Sequence, residues 1–324
     1  MPVTQPTSRE AFVARATLVA WWIAAACSVV LAVRMVREQP GMDAHAYWLA
    51  GREPLVYGRA PGQVDAFLYS PVFADVVRPF SVLPWPVFWA LWAGLETVAL
   101  WWLLRPIGLR WALPLFVICL PELEIGNVYL LVAACAVLGL RRPVAWGFPL
   151  LTKVTLGVGL LWFAFRGEWK RLAGGVALIG AAVSVSYLLQ PDAWRAWAGL
   201  LVAGSGGSWD GKALLIARCV CAVALVLVAA RTDRPWLIAV ALVVGNPMPG
   251  WMALTMLTAI PRLRGRPSPG RPDSGSSSAR WGTSSSSDWK RHPTRAVTSP
   301  EPTETHPVLA QRRPGRRPRD PGVT

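Results

Sequence analysis

Long apolar stretches constrain this chain more than any other feature of its sequence. A helix needs about 20 apolar residues to cross the roughly 30 Å of hydrocarbon in a bilayer. Four stretches approach or meet that length: residues 16–33, 85–104, 172–189 and 213–230. The helices of a soluble domain of this size would each carry a polar face instead. The sequence therefore predicts a helical membrane protein that crosses the bilayer several times.

Shorter apolar stretches lie between and after these four. They cover residues 111–120, 128–140, 144–165, 236–244 and 251–260. Together, the long and short stretches predict an all-α polytopic transmembrane helical bundle with about eight to ten spans. This domain is expected to cover residues 1–263. Residues 264–324 are rich in Ser, Pro and Arg, so we expect a disordered basic cytoplasmic tail, either solvated or lying against anionic lipid.

The net charge of +15 is carried mainly by short loops and by the tail. Short loops rich in Arg and Lys mark the cytoplasmic side of a membrane protein. Placing the basic loops inside puts both termini in the cytoplasm and residues 34–84 outside. These loops lie around residues 105–110, 141–142, 166–171, 231–234 and 262–266. No motif of a nucleic-acid-binding fold accompanies the charge, so we expect no nucleic-acid partner.

The interval between Arg142 and Arg166 tests this topology. Both ends are placed inside, so an even number of crossings must lie between them, yet the interval is too short for two full spans. Lys153 lies near its middle, beside Thr152 and Thr155. We therefore expect a re-entrant pair of half-length helices with Lys153 near the apex, facing protein or a polar cavity. The alternative is a single span with a misassigned basic loop.

The cysteines all lie in apolar stretches, and we predict that they are small buried hydrophobic residues. They are Cys27, Cys119, Cys135, Cys219 and Cys221. None of them is spaced with histidines as in a zinc site. The sequence therefore predicts neither a metal site nor a cofactor.

The strongest candidate for chemistry follows the first long apolar stretch. Asp43, His45, Tyr47 and Trp48 lie within a few positions of one another near the predicted membrane edge. Helical spacing places Asp43 and Tyr47 on one face. A carboxylate at this position can accept the proton of an acceptor hydroxyl while a sugar is transferred. The alternative is that Asp43 caps a short interfacial helix, with a belt of aromatic residues behind it.

Motifs in the same order as in a known enzyme family extend this hypothesis. In the outer segment they comprise Asp43, Tyr47, Gly51, Tyr57, Phe67, Tyr69, Pro71, Pro79 and Pro84. Gly126-Asn127, the Lys153-x-Thr155 pair and the basic stretch 166–171 follow. Over residues 21–263 the chain resembles the actinobacterial polyprenyl-phosphate-mannose-dependent α-mannosyltransferases, which have the C-type glycosyltransferase fold.

The resemblance implies a plasma-membrane glycosyltransferase. Such an enzyme moves mannose, or a related sugar, from a polyprenyl-phosphate donor to an extracytoplasmic glycan or glycolipid, while the polyprenyl chain stays in membrane lipid. The resemblance also implies that Asp43 is the catalytic base and that Lys153 binds the lipid phosphate. The remaining substrate-site residues that it implies are His45, Tyr47, Arg52, Tyr69 and Asn127. No nucleotide is needed, because the phosphate of the donor is the leaving group.

Two departures from the family pattern leave other functions open. Leu156 stands where the family has a proline after the Lys-x-Thr motif. Residues 246–251 occupy the place of a family motif with two histidines, and both histidines are absent. An inactive membrane scaffold of the same fold, or a transporter of lipid or small molecules, therefore remains an alternative. A cavity shared by Asp43 and Lys153 would favour the enzyme.

Overall fold

The computed structural model describes residues 8–53, 56–204, 209–248 and 250–264. Every regular element in these ranges is an α-helix or a short 3-10 helix, which confirms the predicted all-α fold. The α-helices are α1 (Ser8–Glu38), α2 (Met42–Ala50), α3 (Pro71–Ser81), α4 (Trp85–Leu104), α5 (Leu109–Ile118), α6 (Leu120–Ile125), α7 (Tyr129–Gly139), α8 (Gly147–Thr152), α9 (Leu161–Phe165), α10 (Trp169–Leu189), α11 (Pro191–Gly204), α12 (Trp209–Thr232), α13 (Leu237–Gly245) and α14 (Ile260–Arg264). The 3-10 helices are Arg105–Ile107, Pro143–Trp146, Val154–Leu160 and Trp251–Ala259. The predicted tail, residues 264–324, lies outside the described residues except for Arg264, which ends α14.

Four helices in the described part of the chain are long and apolar enough to cross a membrane. They are Phe12–Glu38, Trp85–Ile107, Trp169–Leu189 and Gly211–Thr232, and they coincide with the four long stretches in the sequence. Large apolar side chains on them face outward, as at Val98 (67% exposed) and Leu188 (78% exposed). A soluble protein rarely exposes so much contiguous apolar surface. The fold is therefore that of a membrane protein.

Two of the cysteines do not fit the prediction of burial. Cys119 is buried, but Cys27 of α1 and Cys221 of α12 are exposed. Both lie on candidate membrane spans, where an outward-facing position is apolar rather than aqueous. The prediction was wrong for these two because an apolar stretch in a membrane protein has a lipid-facing side as well as a buried one.

The core of the bundle is built around α7. Val132 and Ala136 of α7 pack with Ile238 and Leu242 of α13 and with Met256, and all of these side chains are fully buried. Small residues along a membrane helix let its neighbours approach closely. Helix α7 is thereby held firmly, so its first residues can position the side chains of a site.

Two short helices form the segment between α1 and α4. Helix α2 begins after Gly41, which has a φ of 66° that residues with a side chain rarely adopt. Helix α3 has Pro71 in its first turn, where no intrahelical donor is needed, and it buries Phe73 and Val77. Helix α3 therefore packs one apolar face into the fold.

Helix α8 ends just before Lys153, where the helical backbone is interrupted. The backbone of Lys153 is extended (φ −142°, ψ 103°), and a 3-10 helix continues from Val154 toward α9. The two halves meet at Gly157, where a Cβ atom would lie 2.4 Å from Leu150 Cδ1. Such a close approach requires glycine. The pair of half-length helices predicted around Lys153 is thus present, with the lysine at the break.

Basic loops that were predicted to share one side of the membrane contact each other. Arg166 forms ion pairs with Glu168 (2.9 Å) and with Asp233 (2.8 Å). Arg171 also pairs with Glu168, and it donates a hydrogen bond to the carbonyl oxygen of Leu140 (2.8 Å). These three loops therefore lie at the same end of the bundle. The side of the membrane that they face stays a prediction.

Candidate active site

Asp43 lies in the first turn of α2, and its carboxylate faces a residue far along the chain. Asn127 Nδ2 donates a hydrogen bond to Asp43 Oδ2 at 2.5 Å. The N-cap residue of α2 is Gly41, and no side-chain hydrogen bond caps the helix. Asp43 therefore does not act as a helix cap, which was the alternative interpretation of the sequence.

The turn before α7 brings Asn127 to this carboxylate. Gly126 has a φ of 72°, and a Cβ atom on it would lie 2.6 Å from the Ala44 Cβ, so only glycine allows α2 and this turn to approach so closely. Asn127 Oδ1 also accepts a hydrogen bond from the Val128 backbone amide at 2.7 Å. Both ends of the Asn127 amide are thus held, which fixes the orientation of the donor that meets Asp43.

Lys153 projects from the helix break into the same site. Its Nζ lies 3.8 Å from the centroid of the Tyr129 ring and 6.0 Å from that of the Tyr69 ring. The faces of aromatic rings attract cations at such distances. Asp43 is close enough to Lys153 for the two charges to interact. The predicted base and the predicted phosphate ligand therefore share one site, although 110 positions separate them in the sequence.

Tyrosines form the wall of the site beside Lys153. The Tyr47 and Tyr69 hydroxyl groups are hydrogen-bonded at 2.9 Å, and Tyr57 donates a hydrogen bond to the Tyr69 carbonyl oxygen at 2.9 Å. The Ser70 amide donates to the Leu151 carbonyl oxygen at 3.1 Å, which ties this segment to the broken helix. Tyr47 is fully buried, so it orients Tyr69 from behind.

Burial governs the electrostatics of Asp43. Loss of contact with water raises the pKa of this carboxyl group above its ordinary value, because water stabilises the charged form. The positive charge of Lys153 and the hydrogen bond from Asn127 oppose that rise without cancelling it. A carboxylate with a raised pKa is a better proton acceptor than an ordinary aspartate near neutral pH.

His45 and Arg52 make their contacts with other residues than Asp43 does. His45 Nδ1 is 2.7 Å from Asp65 Oδ1, and the ring lies 4.8 Å from that of Trp85, edge to face. The Arg52 guanidinium lies 4.5 Å from the Trp48 ring. We call these five residues the His45 group. The Asp43 group consists of Asp43, Tyr69, Asn127, Tyr129 and Lys153. The contacts described for His45 and Arg52 lie outside the Asp43 group.

Two buried carboxyl groups near the site were not among the predicted site residues. Glu96 of α4 and Glu122 of α6 are both fully buried, and their charges are within reach of each other and of Asp43. The Trp92 indole lies near Glu96 but donates its hydrogen bond to the Gly126 carbonyl oxygen at 2.9 Å. The sequence could have identified Glu96 as a candidate site residue, since burying an acidic side chain in a membrane span costs free energy and such residues are commonly functional.

Tyr129 and Asn246 were also not predicted to belong to the site. Tyr129 follows Asn127 by two positions, and its ring is the closer of the two tyrosine rings to Lys153. Asn246 was recognised only as part of a stretch that departs from the family pattern. A sequence gives no sign that residues 117 positions apart share a hydrogen bond, as Tyr129 and Asn246 do. Within the described residues, no three His, Cys, Asp or Glu side chains gather as metal ligands.

Comparison with known proteins gives one match. The model of glycosyltransferase family 87 matches residues 67–271, nearly two thirds of the chain. Tyr69, Asn127 and Lys153 lie inside the matched range, whereas Asp43 precedes it. No curated protein and no solved structure matches the chain.

Proposed function

Because the chain belongs to glycosyltransferase family 87, we propose that it transfers mannose, or a related sugar, from a polyprenyl-phosphate donor. The family and the long apolar helices indicate a membrane glycosyltransferase. The proposal adds the donor, the sugar and the acceptor, which we take to be a glycan or glycolipid outside the cytoplasm. It also adds the plasma membrane as the location, with both termini in the cytoplasm.

The observation that carries this proposal is the joint placement of Asp43 and Lys153. Transfer from a lipid phosphate needs a base for the acceptor and a cation for the leaving group. Asp43 supplies the first, held by Asn127, and Lys153 supplies the second, at the break between two half-length helices. The base and the cation that this chemistry requires are thus close together, which supports the proposal.

We assign each group a role in the reaction. Asp43 takes the proton of the acceptor hydroxyl, and the acceptor oxygen forms a bond to the anomeric carbon of the sugar. The bond from that carbon to the phosphate oxygen breaks, and its electron pair stays on the phosphate. The ammonium group of Lys153 then offsets the charge that develops on the leaving phosphate. Asp43 afterwards releases its proton to water.

The other predicted residues receive supporting roles in this proposal. Asn127 orients the Asp43 carboxylate, and Tyr69 faces Lys153 on the donor side of the site. Tyr47 holds the Tyr69 hydroxyl. For His45 and Arg52, which the resemblance places at the substrate site, we propose a supporting role through the contacts of the His45 group.

The test is a comparison of donors in membranes that contain the full-length chain. Radiolabelled polyprenyl-phosphate-mannose should give a labelled product, and a nucleotide-linked mannose should give none once endogenous lipid carrier is removed. Membranes with the Asp43→Asn variant are the blank. Label transfer only from the nucleotide donor would contradict the proposal. Movement of the lipid across the membrane without product would favour the transporter alternative.

A further inference from the structure

Asn246 is a fully buried amide at the end of α13 that takes no part in the chemistry assigned above. Its Nδ2 donates hydrogen bonds to the Tyr129 hydroxyl at 2.9 Å and to the Met248 carbonyl oxygen at 2.5 Å. In the part of the chain that the structure describes, its Oδ1 has no hydrogen-bond partner. An unpaired buried oxygen lowers the stability of a fold, so its presence calls for an explanation.

The partner of Asn246 is the residue on which Lys153 rests. Tyr129 begins α7, so the helix fixes its backbone, and Asn246 fixes its hydroxyl at the far end of the ring. The face of that ring lies 3.8 Å from Lys153 Nζ. Attraction between a cation and a ring depends on the ring being presented face-on. Because the hydroxyl oxygen lies on the long axis of the ring, this hydrogen bond anchors the far end of that axis. The location of the Tyr129 ring, and with it that of the ammonium group, therefore depends on Asn246.

We propose that Asn246 is a positioning residue that sets the location of the Lys153 ammonium group through Tyr129. The inference rests on the proposed function, in which Lys153 meets the phosphate of the donor. Without the hydrogen bond from Asn246, the far end of the Tyr129 side chain can shift, and the Lys153 side chain then leaves its place opposite Asp43. Binding of the donor should then weaken, while binding of the acceptor should not.

Two variants that remove the same hydrogen bond test this chain of contacts. Asn246→Leu removes the amide and Tyr129→Phe removes the hydroxyl but keeps the ring. Each should raise the KM for polyprenyl-phosphate-mannose roughly three- to tenfold, the range expected for one hydrogen bond. The KM for the acceptor should stay unchanged. The KM of the double variant for this donor should be no higher than that of the single variant with the higher KM, because both substitutions remove one shared interaction.

Thr258→Val is the matched control for the fold. Thr258 is buried in the 3-10 helix Trp251–Ala259, which follows α13, and its hydroxyl donates a hydrogen bond only to the Thr255 carbonyl oxygen among the described contacts. Valine has the same shape, so this variant should keep both KM values. A fall in kcat in Asn246→Leu that matches the fall in Thr258→Val, with both KM values unchanged, would show that Asn246 is merely structural.

A second measurement does not depend on glycosyl transfer. Lysines of the detergent-solubilised full-length chain can be labelled with an amine-reactive reagent and quantified at each site by mass spectrometry, since the chain has lysine only at 153, 170, 212 and 290. The labelling rate of Lys153 should rise several-fold in both single variants. The rate of the exposed Lys170 is the internal reference and should not change.

The two measurements separate the inference from the proposed function. If the wild-type chain transfers no sugar but Lys153 labelling rises in both variants, the positioning role stands and the proposed function fails. If transfer occurs and Lys153 labelling is the same in all variants, the positioning role fails and the proposed function stands. Additive KM effects in the double variant would also overturn the inference.

Discussion

The Asp43 group and the His45 group share helix α2 but differ in where their partners come from. His45 pairs with Asp65, 20 positions along the chain, whereas Asp43 accepts a hydrogen bond from Asn127, 84 positions away. His45 is partly exposed, contacts the Trp48 and Trp85 rings, and pairs through Nδ1 with the Asp65 carboxylate. Asp43 faces a lysine on another element. Asp43 and His45, two residues apart, can thus have unrelated roles, because residues i and i+2 of a helix do not share a face, whereas residues three or four apart do.

The two groups also differ in what their contacts hold together. In the His45 group, the contact between His45 and Asp65 and the packed tryptophan rings close the outer segment on itself. In the Asp43 group, two glycines and a broken helix bring a carboxylate and an ammonium group together inside the fold. Burying charged groups lowers stability unless they are paired. We infer that the Asp43 group is maintained for its chemistry, whereas the His45 group maintains the fold.

The largest expected effect is on kcat, and it distinguishes the Asp43 carboxylate from the Asp65 carboxylate. Asp43→Asn should lower kcat by roughly 10²–10⁴-fold, since a general base contributes about that much. Donor binding should be nearly unchanged, because the phosphate and the lipid hold the donor. Asp65→Asn should leave kcat within about twofold, as expected for a residue outside the site. The measurement is transfer from polyprenyl-phosphate-mannose at saturating donor. Equal losses in the two variants would remove the distinction between the groups.

The next largest effect is on donor affinity, and it distinguishes Lys153 from Arg52. Lys153→Met keeps most of the side-chain length but removes the charge, so the affinity for the donor should fall roughly 10–100-fold, the range for contacts to charged groups. Arg52→Met removes a guanidinium that lies over the Trp48 ring, and donor affinity should not change. Binding of polyprenyl phosphate to the solubilised chain measures both. An equal loss of affinity in Arg52→Met would place the His45 group at the donor site.

Sequence alone predicted much of the fold because apolar stretches of membrane length form helices wherever they occur. The helix break was predictable too, since Lys153 and the basic residues on either side cannot all be reconciled with full spans. The pairing of Asp43 with Asn127 was not, because nothing local links the turn at Gly126 to α2. The outward-facing Cys27 and Cys221 were also missed, since an apolar stretch does not reveal which of its sides meets lipid.

The site residues also divide into those that the sequence identified and those that only the structure reveals. Asp43 and Lys153 were named from their chemistry, and the structure brings them into one site. Tyr129 and Asn246 have no distinctive spacing, so only the folded chain shows that they meet. His45 and Arg52 were assigned to the site through the family resemblance, and their contacts in the structure are with other residues. Nearness along a helix says little about a shared site unless the spacing is three or four residues.

The acid side of the pH profile provides a finer test of the Asp43 group. Burial raises the pKa of Asp43, and only its ionised form accepts a proton. Activity should therefore fall as the pH drops through that raised pKa, at a higher pH than for an ordinary aspartate. Lys153 lowers this pKa by its positive charge, so Lys153→Met should move the acid limb to higher pH. The measurement is kcat/KM for the donor against pH.

A matched control makes the pH test specific. Lys170→Met also removes one lysine, but Lys170 is exposed and lies among the basic loops. Its removal should leave the acid limb in place. An acid limb that moved to lower pH in Lys153→Met, or that moved equally in the two variants, would contradict the coupling between Lys153 and Asp43.

The smallest expected effect is on stability, in the His45 group. Asp65 has a φ of 61°, a conformation that asparagine adopts readily, so Asp65→Asn keeps the backbone and weakens only the contact with His45. Both side chains are partly exposed, so the loss should not exceed about 1 kcal/mol, or roughly 2–4 °C in Tm. Asp192→Asn is the control, because its pair with Arg195 is largely exposed and its loss should leave Tm unchanged. A large fall in Tm in Asp65→Asn, with transfer intact, would mean that the His45 group braces the fold more strongly than an exposed pair can. A fall in transfer at unchanged Tm would instead assign the group to the reaction, and the contrast between the two faces of α2 would no longer hold.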